Sequence, residues 1–202
     1  MSDEQVGIYV GLKTFATLST GQEIENPRFF RVEEKALAKA QRLLSKQPKG
    51  TTKRRKRRKV VARVHERIGW RRNDFSHQHS RRIVNRYGVI AVEDLEVNRM
   101  VHNHCLAKPI SDAAWASFHS MIAIKAEWAG RKFIAVNGAY TSQTCSGCGH
   151  TLASDKRLGL SQRVFECACC QLHIDRDLNA SLNILALGIQ RIGIQSLEAA
   201  RL

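Results

Sequence analysis

The chain has 202 residues, 43% of them apolar, which is enough to bury the core of one ordinary domain with a small appendage. Its longest apolar stretches are shorter than the roughly 18 residues that cross a bilayer, and its start lacks a secretory signal, so we expect a cytoplasmic protein. The net charge of +15 points to an anionic polymer as partner.

The first thirty residues predict a small antiparallel unit. An apolar run over residues 6–12 and a second run over residues 13–18 are followed by the turn-forming sequence Ser19-Thr-Gly21, which together are typical of a β-hairpin. Residues 29–32 are apolar enough to predict a third strand.

A first helix is predicted over residues 33–44. Its composition is helical, and Leu37, Ala40 and Leu44 recur on one face at the helical period. The Pro-x-Gly sequence at residues 48–50 is expected to end it.

Lysine and arginine are concentrated in the next segment. The segment from Lys53 to Arg86 contains fourteen lysines and arginines and only two acids, Glu66 and Asp74, so its net charge is +12. The segment predicts a long helix with a narrow apolar stripe formed by Val61, Val64, Ile68 and Phe75. Such a helix can simply be solvated, but seven consecutive cations repel one another and favour binding to phosphates. The predicted nucleic-acid-binding residues are Lys53, Arg54, Arg55, Lys56, Arg57, Arg58, Lys59, Arg63, Arg67, Arg71 and Arg72.

A short apolar run over residues 89–92 predicts a strand in the interior of a sheet. Glu93 and Asp94 follow at its end, where α/β folds build active sites. The alternative is that one of these acids only caps the following turn.

The remaining regular elements are a helix, a strand and a closing helix. Residues 110–128 predict one helix with Ser111 or Asp112 as its N-cap, and residues 132–136 predict a strand. The aromatic residues of the helix predicted over residues 110–128 recur at the spacing of a buried face, which favours core packing over base stacking. The closing helix is predicted to bury one face formed by Leu178, Leu182, Leu185 and Ile189.

Four cysteines have the spacing of a metal site. Cys145 and Cys148 form one Cys-x-x-Cys pair, and Cys167 and Cys170 form a second pair eighteen residues later. Each pair makes a tight turn that directs two sulfurs at one tetrahedral ion, so the spacing predicts a structural zinc ribbon. The other two cysteines, Cys105 and Cys169, are interpreted as spare thiols.

The order of elements is that of an RNase H-like fold: strands, a long helical excursion, a strand that ends in acids, a helix, a strand and an acid-bearing helix. Nucleases of this fold bring carboxylates from distant segments onto two magnesium ions that cleave a phosphodiester. The fold class predicted is therefore α/β, with a mixed sheet flanked by helices, a basic helical insertion and an inserted zinc ribbon.

Several motifs resemble the RuvC and zinc-ribbon half of the TnpB family of transposon-encoded RNA-guided endonucleases, which are similar to the type V CRISPR effectors. These motifs are Val6-Gly-Ile-Tyr-Val-Gly-Leu12, Val92-Glu-Asp-Leu95, Tyr140-Thr-Ser-Gln-Thr-Cys-Ser-Gly-Cys-Gly149 and Asp175-Arg-Asp-Leu-Asn-Ala180. The resemblance implies a RuvC-like domain over residues 1–140 with the basic segment at 51–86, a zinc ribbon over 141–174 and a closing RuvC helix over 175–202.

The resemblance also implies roles for the acids. Glu93 becomes the second catalytic carboxylate and Asp177 the third, with Asp175 as a possible further acid. The first-strand aspartate of the family is Tyr9 here. A phenol with a pKa near 10 is neutral at pH 7 and cannot readily bridge two metal ions, so the nuclease site is expected to be degenerate. Gln171 stands where the family usually has a glycine.

We therefore expect a TnpB-like, nuclease-inactive protein that binds a guide RNA and a DNA target and holds structural Zn²⁺. Two alternatives remain: an active Mg²⁺-dependent endonuclease that recruits a substitute ligand, and an RNA-binding accessory factor of the transposon. The family places further regions before the first RuvC strand, so a separately encoded N-terminal half or self-association is a further expectation.

Overall fold

A five-stranded mixed sheet lies at the centre of the protein. The computed structural model describes residues 4–96, 102, 107–153, 156–159 and 161–199, with side chains as far as residue 193. The strand order is β3-β2-β1-β4-β5, in which β1, β2 and β3 are antiparallel and β1, β4 and β5 are parallel. The strands of this sheet are β1 (Gln5–Val10), β2 (Thr14–Leu18), β3 (Glu23–Glu25), β4 (Val89–Glu93) and β5 (Lys132–Val136).

Five helices and a second, two-stranded sheet complete the described part of the chain. The helices are α1 (Phe29–Ser45), α2 (Thr52–Arg86), α3 (Ala107–Ala113), α4 (Trp115–Trp128) and α5 (Arg176–Ala199), and the small sheet pairs β6 (Val164–Glu166) with β7 (His173–Asp175). The predicted mixed α/β architecture is confirmed. Among the described residues, no helix combines the length and apolar character needed to cross a membrane.

The two faces of the sheet are covered by different helices. Ile8 on β1 and Ile90 on β4 belong to the main core, together with Phe118 and Ile122 of α4. Because side chains alternate along a strand, the intervening residues point to the other face. There, Ala91 packs in a smaller cluster with residues of α5 and β5. The strand predicted over residues 89–92 is indeed interior, between β1 and β5.

The prediction of a third strand over residues 29–32 is wrong. The third strand is Glu23–Glu25, and residues 29–32 form the first turn of α1. The partly buried rings of Phe29 and Phe30 pack against the cluster of Leu37, Val64 and Ile68 between α1 and α2. Packing against a neighbouring helix has overridden the local strand propensity.

The prediction of one continuous helix over residues 110–128 is also wrong. Ala114 adopts a left-handed conformation (φ 53°) and separates α3 from α4. Asp112 does not cap α4. Its two carboxylate oxygens each accept a hydrogen bond at 3.0 Å from the backbone N–H of Phe30, in the first turn of α1. Its Oδ1 also accepts hydrogen bonds from Arg72 Nη2 (2.7 Å) and Nε (3.0 Å) on α2.

The closing helix buries a different face from the one predicted. The leucines at 178, 182 and 185 are only partly buried, and Ile189 is 43% exposed. Ile184 and small residues make the contact with the sheet instead: Ile184 is fully buried against Ala91 and Val136, a Cβ at Gly7 would overlap the backbone carbonyl of Ser181, and a Cβ at Gly188 would lie 2.6 Å from that of Ala91. The helix therefore packs unusually close to β1 and β4.

Cys105 lies outside the described residues, and Cys169 is exposed without a disulfide partner among them.

Candidate functional site

Three polar side chains meet where β1 and β4 end and α5 begins. The parallel register pairs Ile8 with Val92, so Tyr9 and Glu93 follow as neighbours and point to the face that α5 covers. Asp177 is buried in the first turn of α5. The pKa of the Tyr9 phenol is raised to about 12, by burial first and then by the negative charges of Asp177 and Glu93. The structure thus brings together three residues, each 84 positions from the next in the chain.

Glu93 is held in a confined space. Burial raises the pKa of its carboxyl above the ordinary value, because the charged form loses hydration. Gly138, just after β5, lies directly against the Glu93 side chain, and any Cβ at residue 138 would overlap it. Gly138 was not among the predicted site residues; its local signal is a glycine two residues after a predicted strand.

Asp177 is paired with two arginines that the sequence analysis also missed. Arg176 Nη2 lies 3.3 Å from Asp177 Oδ1, and Arg163 Nη1 lies 3.6 Å from Asp177 Oδ2. Arg176 is itself buried and donates a hydrogen bond to the carbonyl of Gly159 over 3.0 Å. The negative charge of Asp177 is therefore balanced within the protein.

Asp175 has a different role from its neighbour. Its Oδ1 accepts hydrogen bonds from the backbone N–H groups of Asp177 (2.8 Å) and Leu178 (3.0 Å), which is the geometry of an N-cap on α5. The Asp175 side chain thus fixes the start of the helix that holds Asp177.

The residues at this site do not fit a pair of magnesium ions. Magnesium takes hard oxygen ligands in strict geometry, and a two-ion site needs carboxylates that bridge the ions. Here the third side chain near Glu93 and Asp177 is a neutral phenol, and Asp177 is already engaged by guanidinium groups. The arrangement can exchange protons and form hydrogen bonds, but it supplies two carboxylates where the two-ion chemistry needs at least three.

The four predicted cysteines form one cluster. The Sγ atoms of Cys145 and Cys170 lie 3.6 Å apart, as do those of Cys148 and Cys167, and all four lie within 4.8 Å of one another. A tetrahedral zinc ion with Zn–S bonds of about 2.3 Å separates its sulfurs by about 3.8 Å. The cluster therefore fits zinc. Bound there, the ion would supply structural cross-linking, because four thiolates leave no open coordination position.

Two asparagines of α5 bind the segment around the first cysteine pair to this helix. Asn179 is fully buried; it accepts a hydrogen bond from the N–H of Ser146 (2.9 Å) and donates one to the carbonyl of Thr144 (2.7 Å). One turn later, Asn183 Nδ2 donates to the carbonyls of Thr144 (2.7 Å) and Thr141 (2.8 Å). The helix that positions Asp177 is therefore docked on the first cysteine turn. An Asn-x-x-x-Asn spacing was the signal available in the sequence.

The turn after the last cysteine is strained. Gln171 has a left-handed backbone (φ 59°), and its N–H donates to the carbonyl of Cys167 over 2.9 Å. This conformation suits glycine, because a Cβ makes it unfavourable for other residues.

The predicted basic residues all lie on α2, but four of the eleven have partners inside the protein. Arg54 Nη1 donates to the carbonyl of Gln47 (2.8 Å) at the end of α1. Arg67 and Arg71 both contact buried Glu33 of α1. Arg72 is bound to Asp112. The other seven are exposed and have no ion pair with a described residue; they are Lys53, Arg55, Lys56, Arg57, Arg58, Lys59 and Arg63.

Two family models match the chain. The model described as "Probable transposase" matches residues 2–104, and the model described as "Cas12f1-like, TNB domain" matches residues 115–184. The second match contains the cysteine cluster and the first turns of α5.

Individual proteins are similar over most of the chain. A protein of Streptomyces pristinaespiralis named "Putative RNA-guided DNA endonuclease" is 43% identical over 185 residues, which cover 91% of this chain and 45% of that protein. "Putative RNA-guided DNA endonuclease InsQ" of Escherichia coli K12 is 32% identical over 202 residues, which cover 93% of this chain and 50% of InsQ. The chain thus spans about half the length of these relatives.

A solved structure shares the fold. The cryo-EM structure of a Cas12f1–sgRNA–target DNA complex matches 90% of this chain and 49% of the Cas12f1 chain, with a TM-score of 0.62 and 22% sequence identity.

Proposed function

The chain belongs to the TnpB family, and we propose that it is a nucleic-acid-binding protein that binds target DNA through a guide RNA and has a degenerate RuvC nuclease site. In RNA-guided systems, base pairing selects the sequence while the protein holds the backbone. Both relatives described above have names that specify RNA-guided DNA endonucleases, which supports this choice of partners.

The fold part of the proposal is an RNase H-like, RuvC-type domain over residues 1–140, completed by the closing segment over 175–202 that contains α5, with a zinc ribbon over 141–174. The mixed sheet order and the acids at adjacent strand ends support it. So does the shared fold with Cas12f1.

The observation that most supports a degenerate site is the position of Tyr9. We assign it to the place of the family's first aspartate on the basis of the first-strand motif; it lies near Glu93 and Asp177, and the pKa of about 12 keeps its phenol neutral. A neutral hydroxyl neither neutralises nor bridges two Mg²⁺ ions. Glu93 and Asp177 are then residual members of the site, with Asp175 as a helix cap.

The nucleic-acid surface is proposed to be the exposed side of α2. Seven of the eleven predicted cations are exposed and have no ion pair with a described residue, while Arg67, Arg71 and Arg72 fix the helix to α1 and α3. The first group is available to neutralise phosphates, and the second group keeps the helix in place. Binding of this kind releases condensed counterions, so it weakens steeply as salt increases.

Cleavage is the decisive experiment. The protein is purified with the RNA that accompanies it, that RNA is sequenced, and a matching DNA target is incubated with Mg²⁺. We expect no cut with the wild type or with Tyr9→Phe, and we expect Tyr9→Asp to restore Mg²⁺-dependent nicking. Guided cleavage by the wild type would overturn the proposal and favour an active endonuclease. A random mixture of co-purified RNA would instead favour an accessory RNA-binding factor.

Salt dependence tests the surface. Replacing Lys56, Lys59 and Arg63 by Gln should weaken binding and make the slope of log K against log [NaCl] less steep by about 0.9 for each phosphate that is no longer neutralised. The matched control removes three exposed charges from α1, by replacing Lys35, Lys39 and Arg42 by Gln. Equal effects of the two triple variants would show that net charge, and not α2, determines binding.

A further inference from the structure

Trp70 is the most exposed apolar side chain of the basic helix. It is 70% exposed, whereas Trp115 on α4 is 3% exposed. A large aromatic side chain that is left in water on a rigid helix is a candidate contact point, because indole rings gain free energy when they are covered. The segment around it is rigid, since Arg67, Arg71 and Arg72 are bound to buried acids of α1 and α3.

The helical period places Trp70 in line with cations on both sides. Arg63 precedes it by seven residues and Arg81 follows it by eleven, which are the spacings of one helix face. At 1.5 Å per residue, Arg63 lies about 10 Å and Arg81 about 16 Å along the axis from Trp70. Both residues are exposed. A nucleic-acid strand whose phosphates contact both cations must pass over the indole of Trp70.

We infer that Trp70 stacks on an unpaired base of an RNA strand whose phosphates are held by the flanking cations of α2. Aromatic platforms within cationic tracks are the usual means of holding single-stranded nucleic acid, since every base has a π-face. This inference rests on the proposed function and adds to it the kind of nucleotide that α2 contacts.

The charges next to Trp70 favour a base over a phosphate at the indole itself. Glu66 and Asp74 lie one turn before and one turn after it. These acids repel phosphates, so the backbone is held at Arg63 and Arg81 while the base faces the ring. A duplex presents stacked and paired bases, so it cannot place a base on Trp70 without opening.

RNA is the strand we assign to this surface. In the proposed function, the guide RNA is the resident partner, and the target DNA is bound only transiently. A resident strand keeps the indole covered throughout the life of the complex, which removes the free-energy cost of its exposure.

The test compares two equally exposed tryptophans. Trp128 on α4 is 77% exposed and lies outside the basic helix, so Trp128→Ala is the matched control for Trp70→Ala. Trp70→Phe keeps a stacking ring. Binding of labelled single-stranded RNA, the same RNA as a duplex, and single-stranded DNA of the same sequence is measured by fluorescence anisotropy over a range of NaCl concentrations, with full-length protein freed of co-purified nucleic acid.

We expect Trp70→Ala to lower the affinity for single-stranded RNA by about 5- to 100-fold, the range for loss of one stacked base, with an unchanged salt slope. Trp70→Phe should retain most of the affinity. Trp128→Ala should bind single-stranded RNA like the wild type, and Trp70→Ala should bind the duplex like the wild type. Equal losses for single strand and duplex, an equal loss in Trp128→Ala, or no loss in Trp70→Ala would overturn the inference.

A larger loss for single-stranded DNA than for RNA would assign the surface to DNA and overturn the RNA assignment. If the wild type binds none of the three, or binds them without salt dependence, the proposed function itself fails. If only the inference about Trp70 fails, the wild type still binds nucleic acid with an affinity that falls steeply with salt.

Discussion

The side chain of Asn179 donates from Nδ2 to the backbone carbonyl of Thr144 over 2.7 Å, and so joins the closing helix to the first cysteine turn. Asn179 is also two residues from Asp177, which lies beside Tyr9 and Glu93. The cysteine cluster and the site that contains Asp177 are therefore joined through the same helix.

Removing the metal should loosen α5 as well as the ribbon. We expect one zinc ion per chain by elemental analysis, and its loss on chelation or in Cys145→Ser. Hydrogen exchange should then increase over residues 141–152 and also over the first turns of α5, because Asn179 and Asn183 lose their partners. Cys169→Ser is the control: this exposed thiol lies beside Cys170 but outside the cluster. Unchanged exchange in α5 after chelation would contradict the coupling.

Alkaline pH should selectively destabilise the wild type relative to Tyr9→Phe. The folded protein keeps the Tyr9 proton up to a pKa of about 12, while the unfolded chain loses it near 10. Between these values the unfolded state binds fewer protons, so stability falls as pH rises. The wild type should lose about 1 kcal/mol more than Tyr9→Phe between pH 8 and pH 11, by urea unfolding. Equal losses would show that Tyr9 ionises normally.

Asp112→Asn should strongly destabilise the protein. The carboxylate caps α1 at Phe30 and pairs with Arg72, so its loss leaves a partly buried guanidinium without its counter-charge. We expect a cost of about 2–4 kcal/mol in urea unfolding. Asp74→Asn is the control, because this exposed acid accepts a hydrogen bond from Gln78 of the same helix and has no ion pair with a described residue; it should change stability by less than about 0.5 kcal/mol. If the cost of Arg72→Gln simply adds to that of Asp112→Asn, the two residues are not coupled.

Two glycine-to-alanine substitutions should have opposite effects. Gly7→Ala places a methyl group into the backbone of α5 at Ser181 and should cost about 2–4 kcal/mol. Gly69→Ala lies on the exposed side of α2 with no atom near the new Cβ, and should stabilise by about 0.5–1 kcal/mol. Thermal unfolding measures both. A neutral Gly7→Ala would mean that α5 can move away from β1 freely.

Gln171→Gly should stabilise the zinc-loaded protein. The left-handed backbone at this position costs a residue with a Cβ more than it costs glycine, although glycine also loses more entropy on folding. The expected net gain is about 0.5–1 kcal/mol, seen as a higher Tm in the presence of zinc. Gln171→Ala keeps the Cβ and should give no gain; an equal gain from both substitutions would assign the effect to the missing amide instead.

Much of the local structure could be predicted from the sequence. The strands predicted over residues 89–92 and 132–136 agree with β4 and β5 within one residue. Apolar runs of about four residues are long enough for a buried strand but too short for a typical buried helix. The cysteine cluster followed from spacing alone. The third strand at 29–32 and the single helix at 110–128 failed, because interactions with distant helices outweighed local propensity.

By itself, the sequence determined which side chains are available: four thiols at ribbon spacing, seven consecutive cations, and a tyrosine near the end of the first strand. Only the tertiary structure decided which residues these side chains contact. It paired Asp177 with Arg163 and Arg176, and it bonded Asp112 to the start of a helix 82 residues earlier. It also buried Ala180, Ser181 and Ile184 of α5 in place of the predicted leucines. Those outcomes depend on how closely the backbones approach, which is set by packing between elements distant in the chain and leaves no periodic signal within either one.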